Sequence, residues 1–417
     1  MLDFAYCRRT AYYFGQDCER DVGLHIKKYG GTRVLLVYGC GSCVRSGLLE
    51  RVRQSLDEQG IFHIDHGGIR PNPPAVQVYE LIDLIRGHAI DFVLAVGGGS
   101  VIDSAKAAAV GAFCSGDFFD KYFIKGEPPV KALPVGVVLT VPGSGSESSD
   151  KAVVEKEVNG LNLKLALQSL MIVPCFSVMN PRLTVSLSEY QTGCGIVDML
   201  THVMERYFSN TTEVAVTDRL CEGLMQSIVE LAPRVLRDPQ NYDARANLML
   251  AAAYAHNDSC GVGREQDWAS HRLEHQLSAL LGTAHGAGMA VIMPAWMEYV
   301  LPHDPMRFAQ FASRVFGVPI DFTDPTRTAL HGIRTLRTFF AQLNMPLNFA
   351  DLGIGQEVIP KLIEMLQATS SSEGHFVRLS SHDCENIYRN AATYKPRRGI
   401  TVKPEWGEGL QQGKVSA

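Results

Sequence analysis

The sequence predicts an α/β N-terminal domain built on a parallel sheet, followed by an all-α C-terminal domain. Two patterns carry that expectation. Between residues 33 and 141, short apolar runs bounded by glycine and proline alternate with segments whose apolar residues recur at helical spacing. From about residue 188 the helical period dominates and few strand-like segments remain. The length of 417 residues adds a count, two to three domains at roughly 100–200 residues each.

Each element follows from its own stretch. Residues 33–37 (RVLLV), between Gly30, Gly31 and Gly39, read as a buried strand, and 44–59 as a helix with charges between its apolar positions. Residues 62–65 are a weaker strand. Residues 75–88 form a helix carrying Val76, Val78, Leu81, Ile82 and Ile85. Residues 92–96 (FVLAV) are the strongest strand, 101–113 an alanine-rich helix, and 134–141 (PVGVVLTV) another buried strand. Such alternation requires crossovers, hence a parallel sheet covered on both faces. The later helices are expected at 190–209, 214–237, 244–257, 268–281, 287–300, 304–316 and 324–342. The change of texture divides the chain at Leu187, into domains 1–187 and 188–417. The polar tail after Tyr394 is expected to pack on the surface or fray.

Composition excludes several classes. With 46% hydrophobic and 20% charged residues the chain is an ordinary globular protein. A net charge of -5 and the lack of any Lys/Arg block argue against a nucleic-acid partner. No run approaches the ~18 apolar residues of a membrane span, and the opening MLDFAYCRRTAYYFG has no signal-peptide apolar stretch. The 10 cysteines are scattered, with Cys40 and Cys43 the one C-x-x-C. Free thiols in a reducing cytoplasm are therefore expected.

Three turns after expected strands suit phosphate. Gly97-Gly98-Gly99-Ser100 opens the helix that runs through Asp103 and Lys106. Small residues there let the backbone approach an anion, and the helix offers unpaired N–H groups and its positive dipole end. The same run also fits a plain strand-to-helix turn, with Asp103 only complementing the dipole. The second turn is Gly39-Cys40-Gly41-Ser42. Many dinucleotide folds place a carboxylate near such a strand end for the ribose 2′-hydroxyl. Here Tyr38, Gly39 and Ser42 stand there, with Arg45 close by and no carboxylate, which tilts the expectation towards NADP; Arg45 reads equally well as a solvated helix charge. The third loop runs from Thr140 to Glu147 (TVPGSGSE).

A metal site is suggested by spacing. Asp198 and His202 lie four apart on one helix face, His271 and His275 repeat that spacing, and His285 follows at an expected helix junction. One carboxylate with imidazoles suits Zn²⁺ or Fe²⁺ with a position left open. Packed helical histidines remain the bland alternative. A rival is the inverzincin pattern H-x-x-E-H in His271–His275, with Glu274 as the peptidase base.

Taken in order, these pieces resemble the iron-containing alcohol dehydrogenase family, which has a dehydroquinate synthase-like architecture. GGGSVIDSAK looks like its GGGS-x-x-D-x-A-K, PGSGSE like its A/G-T-G-S-E, and GIVDMLTHVMERY like its G-x-x-D-A-x-x-H-x-x-E-x-Y. The segment from His271 to Gly286 matches H-x3-H-x9-H-G, and DWASHRLEHQLSALLGTAHGAGMAVIMPAWM is most similar to the NADPH-using butanol-dehydrogenase-like branch. The similarity spans roughly residues 30–394. It implies hydride transfer between NADP(H) and primary alcohols or aldehydes, with Asp198, His202, His271 and His285 holding one Fe²⁺ or Zn²⁺ that polarises the substrate oxygen. It further implies His275 beside the metal, Gly98, Gly99 and Ser100 at the pyrophosphate, and Gly39, Gly41 and Ser42 at the 2′-phosphate end. Thr140 and Lys164 would contact the cofactor, and Asp103 would lie near the nicotinamide. A glycerol-dehydrogenase-like polyol enzyme of the same superfamily is the neighbouring alternative, and a non-catalytic nucleotide-binding relict a third reading. A homodimer is the expected assembly on base rates. The chain departs from the pattern at Asn180-Pro181 (usually Asp-Pro), Ser144 (usually Thr) and Ser149 (often Asn).

Overall fold

The computed structural model describes residues 1–7 and 9–395; the tail expectation from residue 396 on lies outside them. Contacts divide the chain into two compact units. One comprises Tyr6–Ser186 with Pro239–Asn257, the other Met1–Ala5, Leu187–Asp238 and the described residues from Asp258 on. A single cut at residue 187 therefore does not describe the packing, because the helix in Pro239–Asn257 joins the sheet-containing unit.

That unit holds strands β1 (Ala11–Phe14), β2 (Arg33–Gly39), β3 (Phe62–Ile69), β4 (Phe92–Gly97), β5 (Val135–Leu139), β6 (Lys151–Val158), β7 (Leu161–Gln168) and β8 (Phe176–Met179). Its helices are α1 (Val22–Lys28), α2 (Ser42–Arg45), α3 (Leu48–Glu58), α4 (Ala75–Gly87), α5 (Gly99–Gly111) and, from later in the chain, Tyr242–His256. The six-stranded sheet has the order β1-β8-β5-β4-β2-β3, with every pair parallel. Alternate residues explain why its strands read as unbroken apolar runs. Val34, Leu36, Leu94 and Val96 face a core with Val22, Leu49, Val52 and Leu56. Leu35, Val37, Val93 and Ala95 face the opposite core, with Val78, Leu81, Ile82 and Ile102.

The strand order reverses at β2, with β3 on one side and β4 on the other. Such a switch point leaves a crevice at the strand C-termini, so Gly39 and Gly97 end neighbouring strands, paired as far as Tyr38 and Val96.

Three local differences from the sequence expectation have physical causes. The expected 44–59 helix is two helices, because Gly47 adopts φ 68° and ends α2 before α3 begins. The β6–β7 hairpin was not expected from its charged strands, although the signal was present. Asn159 and Gly160 both take positive φ in the two-residue loop that an Asn-Gly hairpin favours. Strands β1 and β8 are four residues each, too short to show a period.

Among its described residues the second unit is built from helices, with one isolated antiparallel bridge between Glu373 and Leu379: α6 (Glu189–Tyr207), α7 (Ala215–Arg237), then, counting Tyr242–His256 as α8, α9 (Ala269–Leu281), α10 (His285–Val300), α11 (Pro305–Phe316), α12 (Pro325–Gln342), α13 (Ile359–Gln367) and α14 (Ser381–Thr393). Helix α6 starts with a capping box between Ser188 and Gln191. Among the described residues, no helix is long and apolar enough to cross a membrane.

Candidate functional site

In the helical unit, Asp198 and His202 sit one turn apart on α6, His271, Glu274 and His275 on α9, and His285 on the first residue of α10. Donor atoms of Asp198, His202 and His271 lie within 4.8 Å of one another. His285 joins them: its Nε2 is 3.5 Å from Asp198 Oδ1, and its ring is 5.2 Å from that of His271. His202 and His271 stack at 4.8 Å, and Asp198 Oδ1 is 3.7 Å from His202 Nδ1. Three side chains from two helices thus form one cluster, and His285, on a third helix and grouped with Glu274 and His275, borders it through Asp198. His275 is half-buried beside them, its ring 5.5 Å from that of His285.

Two carboxylates hold the imidazoles in place, and the sequence did not single them out for that work. Glu205 is fully buried and accepts from His271 Nδ1 at 2.8 Å, His271 N at 3.0 Å, Ser270 Oγ at 2.6 Å and Trp268 N at 2.7 Å. His271 Nδ1–H therefore points at Glu205, and its other nitrogen, Nε2, is buried with no hydrogen-bond partner. Glu274, also fully buried, accepts from His285 Nδ1. Burial pulls the His271 pKa down, with Glu205 opposing, so the neutral ring that a metal needs is favoured. Burial works to raise the Glu205 pKa, but the hydrogen bonds from the His271 ring, the Ser270 hydroxyl and the His271 backbone work against it and leave it lowered. Carboxylate–imidazole pairs of this kind fix the tautomer of a metal-binding histidine. A lone buried Nε2 aimed among an aspartate and two further imidazoles fits a divalent ion. In the peptidase pattern Glu274 is a free base; here it is spent on His285.

Glycine lets the helices approach. A Cβ at Gly288 of α10 would lie 2.3 Å from Glu274 Oε1, so any larger residue would push α10 off the carboxylate that holds its own His285.

In the sheet-containing unit, the three expected turns meet at the switch point. Gly98 caps α5, and Gly99 and Ser100 form its first turn. A Cβ on Gly98 would lie 2.9 Å from Val141 Cβ, and one on Gly99 2.5 Å from Ser144 Oγ. The glycines are thus needed for the close approach of the 140–146 loop. Thr140 N donates to Gly97 O at 3.0 Å, which fixes the loop beside the turn. Gly39 closes β2, Gly41 has φ 111° and Ser42 starts α2, exposed together with Arg45. No carboxylate occurs from 38 to 42, and Asp65 on the adjacent β3 is tied to Arg53 at 2.5 and 2.8 Å. Lys164, on β7, donates to Asn72 Oδ1 at 3.0 Å. Asp103 Oδ1 accepts from Ser146 Oγ at 2.5 Å and its Oδ2 from Val153 N at 3.1 Å.

The departure at Asn180 has a cause. Its side-chain amide donates to the buried Glu19 at 2.8 Å, where an aspartate would set two carboxylates against each other. Cys40 and Cys43 take separate partners, Ile69 O and Val96 O, and all ten cysteines are free.

Comparison with known proteins gives a consistent result. The family model described as "Iron-containing alcohol dehydrogenase" matches residues 9–181. That described as "Fe-containing alcohol dehydrogenase family, C-terminal" matches residues 192–392. A probable NADH-dependent butanol dehydrogenase of Bacillus subtilis is 36% identical over 391 residues, 93% of this chain and 99% of that protein. The NADPH-dependent aldehyde reductase YqhD of Escherichia coli is 35% identical over 353 residues, 84% of this chain and 90% of its own length. The crystal structure of an NADH-dependent butanol dehydrogenase A from Thermotoga maritima superposes with a TM-score of 0.90 at 34% identity, covering 94% of this chain and 99% of that one.

Proposed function

Because the chain belongs to the iron-containing alcohol dehydrogenase family, we propose that it interconverts aldehydes and primary alcohols with NADP(H) and one divalent ion, Fe²⁺ or Zn²⁺. The observation that carries the metal part of this reading is the buried His271, clamped by Glu205 through Nδ1 and left with Nε2 facing Asp198, His202 and His285. When bound, the ion polarises the substrate oxygen and the nicotinamide supplies or accepts hydride.

The chain's own residues do the rest. Asp198, His202, His271 and His285 hold the ion, while Glu205 and Glu274 keep His271 and His285 in the right tautomer. Gly98, Gly99 and Ser100 offer a helix N-terminus to the pyrophosphate. Thr140 and Lys164 line the cofactor side, and Asp103 stands by the nicotinamide end. His275, half-buried like His285 but not among the four assigned ligands, is the side chain assigned to pass a proton to or from the substrate oxygen. His275→Ala is then expected to retain its metal while kcat falls by roughly 10²-fold, the low end for a lost general acid. A kcat within twofold of the parent would remove the role.

NADP(H) rather than NAD(H) follows from Gly39, Gly41 and Ser42, a turn without a carboxylate and with Arg45 nearby. The relatives' names divide between NADH and NADPH, so the residues of this turn carry the argument. The test is oxidation of NADPH and NADH at 340 nm with butyraldehyde, alongside metal analysis of protein purified without chelator. A kcat/KM at least about tenfold higher with NADPH is expected, one charge-assisted contact being worth about 1.4 kcal/mol or more. A higher value with NADH overturns the nucleotide assignment, and no consumption with either overturns the activity. The free thiols suit a reducing cytoplasm, and a homodimer is the assembly that base rates favour.

A further inference from the structure

One residue of the glycine-rich motif has no part in the chemistry above. Lys106 lies one turn after Asp103 on α5 and is fully buried. A lysine is rarely buried without several partners, and this one has three. Its Nζ donates to Ser146 Oγ at 3.0 Å, Ser149 O at 2.9 Å and Lys151 O at 3.0 Å. An ammonium has three hydrogens, so all are assigned. Ser146 must then accept from Lys106, which leaves its single hydroxyl hydrogen for Asp103 Oδ1 at 2.5 Å. The direction of each bond in the chain Lys106–Ser146–Asp103 is set by counting hydrogens.

We propose that Lys106 is a positioning residue of the cofactor cradle: it clamps residues 146–151 against α5 and, through the Ser146 hydroxyl, holds the Asp103 carboxylate in one orientation. The clamp joins the two segments assigned to the nucleotide. Helix α5 presents Gly98, Gly99 and Ser100, and the clamped loop carries Ser144, which packs where a Gly99 Cβ would be and accepts from Ser146 N at 3.3 Å. Without the ammonium, three acceptors lose their donor inside the protein and the loop is free to move off the glycine turn. This rests on the nucleotide-binding reading above.

Burial pushes the Lys106 pKa down to about 8, with Asp103 on α5 and Glu147 and Asp150 on the loop opposing it. Burial also raises the Asp103 pKa, with Lys106, Ser146, Val153 and Lys164 opposing. The charged clamp is therefore complete below about pH 8 and is lost as pH rises through it, so nucleotide affinity falls on the alkaline side.

The test uses the full-length protein and titrates NADPH by its own fluorescence, with no substrate. Lys106→Met, checked for folding by circular dichroism, is expected to raise the NADPH Kd by about tenfold or more and to flatten its dependence on pH between 7 and 9. Ser146→Ala keeps two of the three clamp bonds, so its Kd should stay within about threefold of the parent. Its kcat should fall by about tenfold, and the double variant Ser146→Ala/Asp103→Asn should be no slower than Asp103→Asn alone, since both act through one carboxylate. Lys106→Met with unaltered Kd and kcat and only a shifted melting temperature overturns the inference, as do Ser146 and Asp103 effects that multiply. If Lys106→Met does not fold, the Ser146/Asp103 cycle decides alone. A parent protein that binds NADPH but reduces no aldehyde sinks the aldehyde reading and leaves this one standing; a parent that binds neither NADPH nor NADH overturns both.

Discussion

Replacing His271 with alanine is expected to leave less than about a tenth of the parent's bound metal and to lower kcat/KM by at least about 10³-fold, while NADPH still binds. Three effects combine. One of four assigned donors disappears, and the one removed is the imidazole whose Nε2 is buried and unpartnered. Loss of a polarising ion costs several kcal/mol of transition-state stabilisation, and about 4 kcal/mol is a thousandfold in rate. Glu205 also loses the Nδ1–H donor of His271 while fully buried, and a buried acceptor left short of a hydrogen bond costs about 1–3 kcal/mol. The melting temperature should therefore fall as well, so folding must be checked separately. Circular dichroism checks the helical unit that holds His271, and NADPH titration checks the other compact unit, which carries the glycine turns. Turnover within tenfold of the parent, or a full complement of metal, would end the four-ligand assignment.

Glu205→Gln is the second large effect and the more diagnostic one. Glutamine keeps the shape but offers one acceptor oxygen instead of two. Glu205 Oε1 serves Ser270 Oγ, His271 N and His271 Nδ1, and Oε2 serves Trp268 N. In either orientation of the amide, an NH₂ group faces a donor. His271 is then less firmly held with Nε2 aimed at the metal position, and the negative charge that raises its basicity is gone. Loss of such an outer partner lowers metal affinity by about 10–100-fold. Activity should return when excess metal is added, with kcat at saturating metal within about fivefold of the parent. Unaltered metal affinity would show that Glu205 only supports the helix packing. Lost activity that excess metal does not restore would place its role elsewhere.

Much of this was legible along the chain. The runs RVLLV, FVLAV and PVGVVLTV mark buried parallel strands because both faces are covered, and the helical segments from 190 to 342 are found within a few residues of their expected ends. Asp198 and His202 on one face, and His271 and His275 on another, follow from a period of 3.6 residues, which is local geometry. The carboxylates behind the imidazoles were harder to see. Glu205 lies 66 positions from His271, and no spacing rule connects them. Glu274 was visible, yet as part of H-x-x-E-H it suggested a base; only the packing of α10 over it reveals that it serves His285. Lys106 was legible as the lysine that closes GGGSVIDSAK, but its three acceptors lie 40 to 45 positions away and only the packing brings them to it.

The division has one physical reason. Periodicity, capping and glycine turns depend on neighbours within a few residues, so the chain alone determines which side chains share a face, where helices end and where an anion can approach the backbone. Which face meets which is decided by burying apolar surface between elements distant in sequence. That packing set Asp198 beside His285, Glu205 behind His271, and the Gly39 and Gly97 turns next to each other at the reversal of strand order.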